Sequence, residues 1–429
     1  MNISAKNLTI LSVLFCLALP AAAQQQAVIA KGSVLTLSQC LDTALKNNPQ
    51  IASSKAEEQT QHSKLWQARG SYLPQINANA AYTRANQETA TGYSGADDSY
   101  SSSISATQLI YDFGATSGAV DVQKKSYLSA KEDSRSTENN IAYSVKQAYY
   151  GLLSAQDQRD VYKQSVDDYE QQLKRAQGFY EVGTKPKIDV TTAQVNLNQA
   201  KLNLIGAENS LKVAYRTLLN AMGLSDETTD FTLEKSDTVE TYDITLEDAL
   251  KQAGGNRPDL EKYKLSVESA KANLTIARTD FAPELNANAS YGWSGQNYPL
   301  YDKWSFGAGI SLPIFSGFSS YNKVQAAKSG LQKALANLNN TQQTATLEVN
   351  TAYLDMTKAK EAIPVADLSR QEAQESYDLA AGRYTVGVGD YIEVKDAEVS
   401  LSNAKLSYIN AVYDYNLAVA KLKNVMGTK

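Results

Sequence analysis

Apolar residues recur at alternating steps of three and four along two long stretches of the chain. One stripe begins at Ile141 and Val145 and continues to Tyr180, and its counterpart runs from Ala345 to Tyr384. An average spacing of 3.5 residues predicts long helices that pack side by side with a left-handed supercoil. An ordinary helical-bundle core would give the same local pattern, but the stripes are unusually long for one.

The stripes predict two long helices, each followed by a shorter return helix. These four helices are predicted at 114–181, 187–222, 316–385 and 390–426. At about 1.5 Å per residue, the first would extend ~100 Å, which is too far for a compact core. Helices at about 50–71 and 258–281 would stack end to end with the return helices. Pro364 is expected to kink or break the second long helix.

The period changes from 3.5 to 2 after Pro74 and Pro283, which predicts four strands within about 74–112 and 283–314. Apolar and aromatic residues alternate there with Asn, Ser and Gly, as in the ten-residue strands of a transmembrane β-barrel with a wet lumen. A soluble sheet packed on helices is the alternative. Against it, no further amphipathic helix remains to cover such a sheet.

Four strands from one chain cannot stand alone in lipid, because the two sheet edges would leave unpaired backbone groups in hydrocarbon. Several chains must therefore each donate four strands, and three chains would give twelve. The predicted fold class is mixed α and transmembrane β. A trimeric 12-stranded β-barrel continues into a long α-helical coiled-coil barrel, and each chain carries an internal duplication.

The duplication is visible in the sequence itself. Residues 35–82 recur 209 positions later without a gap; INANA at 76–80, for example, returns as LNANA at 285–289. The offset becomes 204 farther along the chain. We therefore divide the chain into a first structural repeat at 24–223, an acidic, polar linker at 224–243, and a second structural repeat at 244–429. The linker is expected to lie outside the seam, which is the apolar contact along which the helices pack.

Residues 1–23 have the features of a secretory signal peptide. An apolar run follows Lys6, and three alanines precede Gln24. A transmembrane helix is the alternative, but the run is too short to cross ~30 Å of hydrocarbon. Cleavage would remove Cys16 and leave Cys40, which lies on an apolar helix face and is expected in the core.

Composition argues against most chemistry. The 429 residues include one His and two Cys, so a His-based metal site, a catalytic triad and a disulfide framework all lack their residues. The net charge of −5 argues against a nucleic-acid binder, which needs a basic face. No phosphate-binding loop or nucleophile motif is present. We therefore predict no enzyme activity, no catalytic or metal-binding residue and no cofactor.

The ends of the two long helices carry the most specific motif. YEVGT at 180–184 and YTVGV at 384–388 are followed by IDV at 188–190 and IEV at 392–394. With the duplication and the helix–Pro–strand–strand–helix order, these motifs resemble the outer-membrane efflux protein (TolC) family over nearly the whole mature chain. Glycine at 183 and 387 also simply suits a helix end, because it adopts the left-handed conformation.

The resemblance implies a passive homotrimeric exit duct in the outer membrane of a Gram-negative bacterium, with a periplasmic extension. Such a duct serves tripartite efflux or type I secretion. Its partners would be outer-membrane lipid, a periplasmic membrane-fusion adaptor and an inner-membrane pump, either ABC or proton-driven. The resemblance places the adaptor-docking residues at the two hairpin tips: Val182, Gly183, Thr184, Val386, Gly387 and Val388.

Three acidic residues follow the second tip: Asp390, Glu393 and Asp396. Threefold symmetry would turn each into a ring of carboxylates, which favours cations, and the family places acidic rings here. The alternative is a solvated acidic first turn favoured by the helix dipole.

The family also closes its gate with a Tyr at the position of Tyr384 and an Asp at the position of Asp189. Where the family uses Arg for a salt bridge in this lock, the chain has Gly389. Lys185 and Lys187 are the candidates to replace that arginine.

The remaining function class is a non-channel structural or surface coiled-coil protein. Such a protein would need neither the alternation of polar residues along the strands nor the half-length return helices. The cargo, whether drugs, metals or proteins, does not follow from the residues.

Overall fold

The computed structural model describes residues 32–86, 88–89, 92–93, 96–224, 231–234 and 242–428. The predicted signal peptide at 1–23 and most of the predicted linker at 224–243 lie outside these residues. The first half contains, in order, β1 Ser33–Leu35, α1 Leu37–Asn47, α2 Pro49–Arg69, β2 Gln75–Ala85, β3 Glu88–Thr89, β4 Gly92–Tyr93, β5 Asp97–Tyr111, α3 Ala115–Glu181 and α4 Lys187–Ala221. The second half follows with β6 Phe231–Leu233, α5 Leu246–Asn256, α6 Pro258–Thr279, β7 Glu284–Gly295, β8 Tyr301–Ser311, α7 Ser319–Thr385 and α8 Tyr391–Val425.

The two halves start their helices in the same way. Thr36 caps α1: its hydroxyl accepts the backbone N–H of Gln39 at 3.2 Å, and the Gln39 side chain accepts the backbone N–H of Thr36. Thr245 caps α5 with the same side-chain contact to Asp248. Proline then occupies the first turn of both α2 and α6, where its missing N–H costs no intrahelical hydrogen bond.

The long helices α3 and α7 each have 67 residues, so each extends ~100 Å. The expected break at Pro364 is wrong in so far as α7 continues through it to Thr385. Pro364 is exposed, and so is Lys360, whose carbonyl loses its helical donor and can accept from water instead. None of the helices among the described residues combines the length and apolarity needed to cross a bilayer.

The helices form one layer, in which each helix has fixed neighbours. Towards the hairpin tips the order is α4–α3–α8–α7, and towards the sheet it is α2–α3–α6–α7. Helix α3 therefore lies inside the layer in both regions. Helices α4 and α2 form one edge of the layer, and α7 forms the other.

Two apolar clusters fill the middle of the molecule, one for each half. In the first, Cys40 is fully buried beside Val145 and Leu218. Phe231 and Leu233 of β6 belong to this cluster, and β6 pairs in parallel with β1. Our expectation that 224–243 lies outside the seam is therefore wrong for 231–233, because Phe231 is stacked on Tyr215 with ring centroids 4.7 Å apart.

The four long strands form one antiparallel sheet in the order β2-β5-β7-β8. Strands β5 and β7 belong to different halves, so the duplication joins at the centre of the sheet. Strands β2 and β8 are its two edges. The mixed fold of long helices and a small sheet that the sequence predicts is confirmed.

Candidate functional site

The register of the sheet separates its two faces. Directly opposite residues in an antiparallel sheet point to the same side, so each cross-strand row lies on one face of the sheet. One row joins Ala78, Ile104, Tyr291 and Trp304, and the next row on that face joins Ile76, Ala106, Ala289 and Phe306. The opposite face carries the row Asn77, Ser105, Ser290 and Ser305.

Both faces are open in the single chain. Trp304 is 76% exposed and Phe306 is 75% exposed, although both are large and apolar. Exposed aromatic side chains in contiguous rows indicate contact with lipid or with another protein. The serine row on the other face is suited to water, and the Ser290 and Ser305 hydroxyls are 2.8 Å apart.

The two hairpin tips have the same backbone geometry. Gly183 and Gly387 adopt φ of +74° and +83°, which favours glycine. At each tip the glycine N–H donates to Tyr180 or Tyr384, and the next N–H donates to Phe179 or Arg383, closing a Schellman motif. A left-handed glycine therefore ends α3 and α7 at matching positions.

Beyond these turns the tips present apolar side chains to solvent. Val182, Val386 and Val388 are each more than 70% exposed. Thr184 is also exposed, and its hydroxyl donates to the Phe179 carbonyl at 2.9 Å. The six predicted docking residues thus lie together at one end of the molecule, the end farthest from the sheet.

An aromatic cluster joins the two hairpins just behind the tips. Tyr384 packs edge-on against Phe179 of the first hairpin, with ring centroids 5.5 Å apart, and against Tyr391 at 5.8 Å. Asn196 on α4 donates a hydrogen bond to the Tyr391 hydroxyl. These contacts bring the predicted gate residue Tyr384 to the junction between the hairpins.

The Tyr384 hydroxyl is buried and has no hydrogen-bond partner among the described residues. Burial, followed by the charge of Asp189, raises the pKa of Tyr384 to about 12. The single chain thus places the predicted gate partners Tyr384 and Asp189 within electrostatic reach but does not join them by a hydrogen bond. Their role as a lock stays a prediction.

Lys185 occupies the space near Gly389. Its ammonium group donates to the Gly389 carbonyl at 3.1 Å and lies 5.8 Å from the centre of the Tyr384 ring. A Cβ at residue 389 would lie 2.8 Å from the Tyr384 backbone nitrogen, so this site has no room for a side chain. The positive charge at this junction therefore comes from Lys185 of the first hairpin and not from residue 389.

Asp189 and Asp390 lie on opposite sides of the same junction. Burial first, and then the charge of Asp390, raise the pKa of Asp189, while Lys185 opposes that shift. Asp390 is exposed and caps α8 by accepting the backbone N–H of Ile392. Arg175 adds a second link between hairpins by donating to the Thr385 hydroxyl at 3.3 Å.

The other two acidic residues lie on the exposed side of α8, each with a basic neighbour. Arg383 is 3.5 Å from Glu393, and Lys395 is 3.0 Å from Asp396. Exposed ion pairs of this kind contribute little to stability. They do reduce the net negative charge that the carboxylates present, a feature that the acidic spacing alone does not reveal.

One acidic residue of α8 escaped the sequence analysis. Glu398 is only 2% exposed and faces α3, where the Ser165 hydroxyl donates to one carboxylate oxygen at 3.0 Å. Burial, followed by the charge of Asp168, raises the pKa of Glu398 to about 7. Residue 398 is next to the apolar stripe rather than on it, so periodicity gave no signal.

The chain resembles known proteins along most of its length. The family model described as outer membrane efflux protein matches residues 40–224 and 249–428. The outer membrane protein TolC of Vibrio cholerae is 23% identical over 406 residues, which cover 91% of this chain and 90% of that relative. The alkaline protease secretion protein AprF of Pseudomonas aeruginosa is 25% identical, covering 90% of this chain and 82% of AprF.

Solved structures of outer membrane channels have a similar fold. The crystal structure of the Campylobacter jejuni CmeC outer membrane channel superposes with a TM-score of 0.83 at 20% identity, covering 91% of this chain and 85% of CmeC. The family match spans both halves of the duplication, with the sheet, the long helices and the two tips. The chain is thus a member of the outer membrane efflux protein family and is located in the outer membrane.

Proposed function

We propose that three copies of the chain form a passive exit duct across the outer membrane and the periplasm. The observation that supports this most directly is the four-stranded sheet, whose two faces differ in polarity and whose two edges lack a partner within the described residues. An open edge in hydrocarbon leaves several backbone groups unsatisfied, and each costs several kcal/mol. Pairing of β8 with β2 of the next copy removes both edges.

Closure also assigns the two faces. Twelve strands enclose a lumen rather than a packed core. The serine row then faces water inside, and the row with Trp304 faces lipid outside. The non-channel coiled-coil alternative has no use for a serine-lined inner face, so the sheet favours the duct.

The helical layer supports the same assembly. Its α7 edge exposes a run of leucines, of which Leu347, Leu354 and Leu379 are each more than 60% exposed. Exposed leucines along one helix edge favour contact of that edge with another surface. When α7 of one copy meets the α4 edge of the next, both edges are covered and the layer closes into a tube.

The narrow end of this tube would be the hairpin tips, where the gate and the adaptor-docking surface would lie. Threefold symmetry would turn Asp390, Glu393 and Asp396 into rings of carboxylates that favour cations. Tyr384 and Asp189 would take part in closing the gate, and Lys185 would hold the two hairpins of one chain together. The exposed valines of the tips would dock a periplasmic adaptor, which links the duct to an inner-membrane pump.

The relatives include proteins named for efflux and for protease secretion. The relatives therefore do not decide between tripartite efflux and type I secretion, and the cargo and the pump depend on that choice. Both uses require only a conduit, because a duct of this kind does no chemistry.

Single-channel conductance in planar bilayers tests the proposal. The purified wild-type oligomer is expected to conduct and to prefer cations. The double variant Glu393→Ala/Asp396→Ala should lose much of that preference and become less sensitive to block by trivalent cations. Arg383→Ala is the matched variant, and it should strengthen the preference because it frees Glu393 from its cation.

A folded oligomer that does not conduct would contradict the duct and favour the structural coiled coil. Conductance with unchanged selectivity in the double variant would place the constriction elsewhere.

A further inference from the structure

Glu398 lies where the two hairpins of one chain meet. It is on α8, about 12 Å along the helix axis from Asp390 at the tip, and it faces α3 of the first hairpin. One carboxylate oxygen accepts from Ser165, and the other is buried without a hydrogen-bond partner. The side chain therefore fills an interface rather than a solvent-exposed surface.

The surroundings favour the neutral form of this carboxyl. No described residue forms an ion pair with Glu398, and a buried ionised carboxylate without a pair is strongly disfavoured. Because Glu398 is already 2% exposed in one chain, a neighbouring copy cannot supply the missing cation without moving α3 or α8.

Titratable groups of α3, α7 and α8 lie close to Glu398. From α3, Asp168 raises the pKa of Glu398, and Tyr169 lies close enough for its own pKa to be raised by the carboxylate. On α7, burial and then nearby charges, including that of Glu398, raise the pKa of Tyr377. Among the described residues, the charge of Lys405 on α8 opposes the shift of the Glu398 pKa, and Lys405 forms no ion pair with Glu398.

We propose that Glu398 is a proton-binding site between the two hairpins: when it is protonated, α3 and α8 stay in contact, and when it ionises, the contact loosens to admit water. Ionisation creates a buried negative charge beside the half-buried Asp168, and separation of the helices hydrates both. The proton site follows from the single chain, whereas its effect on opening depends on the proposed duct.

The sign of the pH dependence follows from the raised pKa. The closed contact retains the proton up to about pH 7, whereas an exposed glutamate releases it near 4.5. The closed contact is therefore most stable below about pH 4.5 and weakens as the pH rises to about 7. Above that it changes no further. In each copy, the ratio of loosened to closed contacts should rise by at most about tenfold per pH unit within this window.

Infrared difference spectroscopy of the purified oligomer tests the proton site without relying on conduction. A protonated carboxyl band that titrates near neutral pH should be present in the wild type and absent in Glu398→Gln. Asp168→Asn should move its midpoint to lower pH, because it removes the neighbouring charge. Glu375→Gln, an exposed carboxyl on α7, is the control and should leave the band unchanged. Persistence of the band in Glu398→Gln, or its absence from the wild type, would overturn the proton site.

Conductance between about pH 5 and pH 9 tests the effect on opening. Wild type and Glu375→Gln should open more often as the pH rises to about 7 and then level off, and Glu398→Gln should be flat over that range. Identical profiles for wild type and Glu398→Gln would overturn the coupling. Loss of conductance in all three proteins, with the band intact, would instead count against the proposed duct.

Discussion

The return helices α4 and α8 have the same length and the same place in their repeats, yet their surfaces differ. Leu202 and Ile205 of α4 are 61% and 62% exposed, whereas their counterparts Leu406 and Ile409 of α8 are half-buried. The difference arises because α3 packs against α8, while α4 lies at the edge of the layer. A duplicated chain thus keeps the same apolar residues in both copies, but covers only one set itself.

The comparison supports the proposed assembly of several copies. The face that α8 buries against α3 has an equivalent on α4 that, in the proposed duct, another copy would cover. The long helices differ in the same way: α3 lies inside the layer, and α7 forms its other edge. In the proposed duct, contacts between copies would therefore resemble the contacts between the two halves of one chain.

The largest expected effect comes from charging the α4 edge. Leu202→Asp combined with Ile205→Asp should abolish trimers, because burial of each side chain contributes about 1.5–3 kcal/mol per copy and the charges would have no partner. Size-exclusion chromatography with light scattering measures the change. Gln194→Asp, an exposed polar position of the same helix, is the control and should stay trimeric. Trimers that survive the double change would remove α4 from the interface.

A smaller effect, on the stability of the folded chain, is expected in the middle of the molecule, where the two halves also differ. Phe231→Ala should destabilise the first half by about 3–5 kcal/mol, because the ring is 4% exposed and stacked on Tyr215. In the second half, the backbone N–H of Tyr242 donates to the Tyr415 hydroxyl at 2.8 Å. Tyr415→Phe should therefore cost only about 1–3 kcal/mol. Thermal unfolding measures the loss of stability in each variant. Equal losses, or a larger loss in Tyr415→Phe, would contradict this account.

The smallest effect on stability is expected at the tips, where the halves are most alike. Gly183→Ala and Gly387→Ala should each cost about 1–2 kcal/mol from the left-handed backbone, since no atom lies within 4 Å of either new Cβ. Gly183→Arg and Gly387→Arg should cost about the same in stability but abolish transport in cells with intact trimers. Transport that survives both arginine variants would show that the tips are not the docking surface.

Much of the fold follows from periodicity because the relevant contacts are repeated over many residues. The 3.5-residue stripe runs over 141–180 and 345–384 within the two long helices, so local irregularities such as Pro364 do not obscure it. The strand faces follow for the same reason, since a one-residue slip would reverse every side chain.

Contacts made once, between distant segments, could not be predicted in this way. Strands β1 and β6 have three residues each, too few for a period, and their pairing joins residues 33–35 to 231–233. The contact of Lys185 with the Gly389 carbonyl joins two hairpins through a backbone atom, which leaves no trace in residue type. Glu398 is buried by α3, and the stripe on α8 reports mainly its contact with α7.

A disulfide between the two sheet edges tests the central claim most directly. In one chain β2 and β8 are three strand spacings apart, or ~14 Å, and a disulfide cannot bridge that distance. Asn79→Cys is combined in turn with Lys303→Cys, Ser305→Cys or Gly307→Cys. The native Cys40 is buried, which raises its pKa to about 11 and keeps it unreactive. Covalent trimers on a non-reducing gel from at least one pair are the predicted result, and monomers from all three pairs would contradict closure of the barrel between copies.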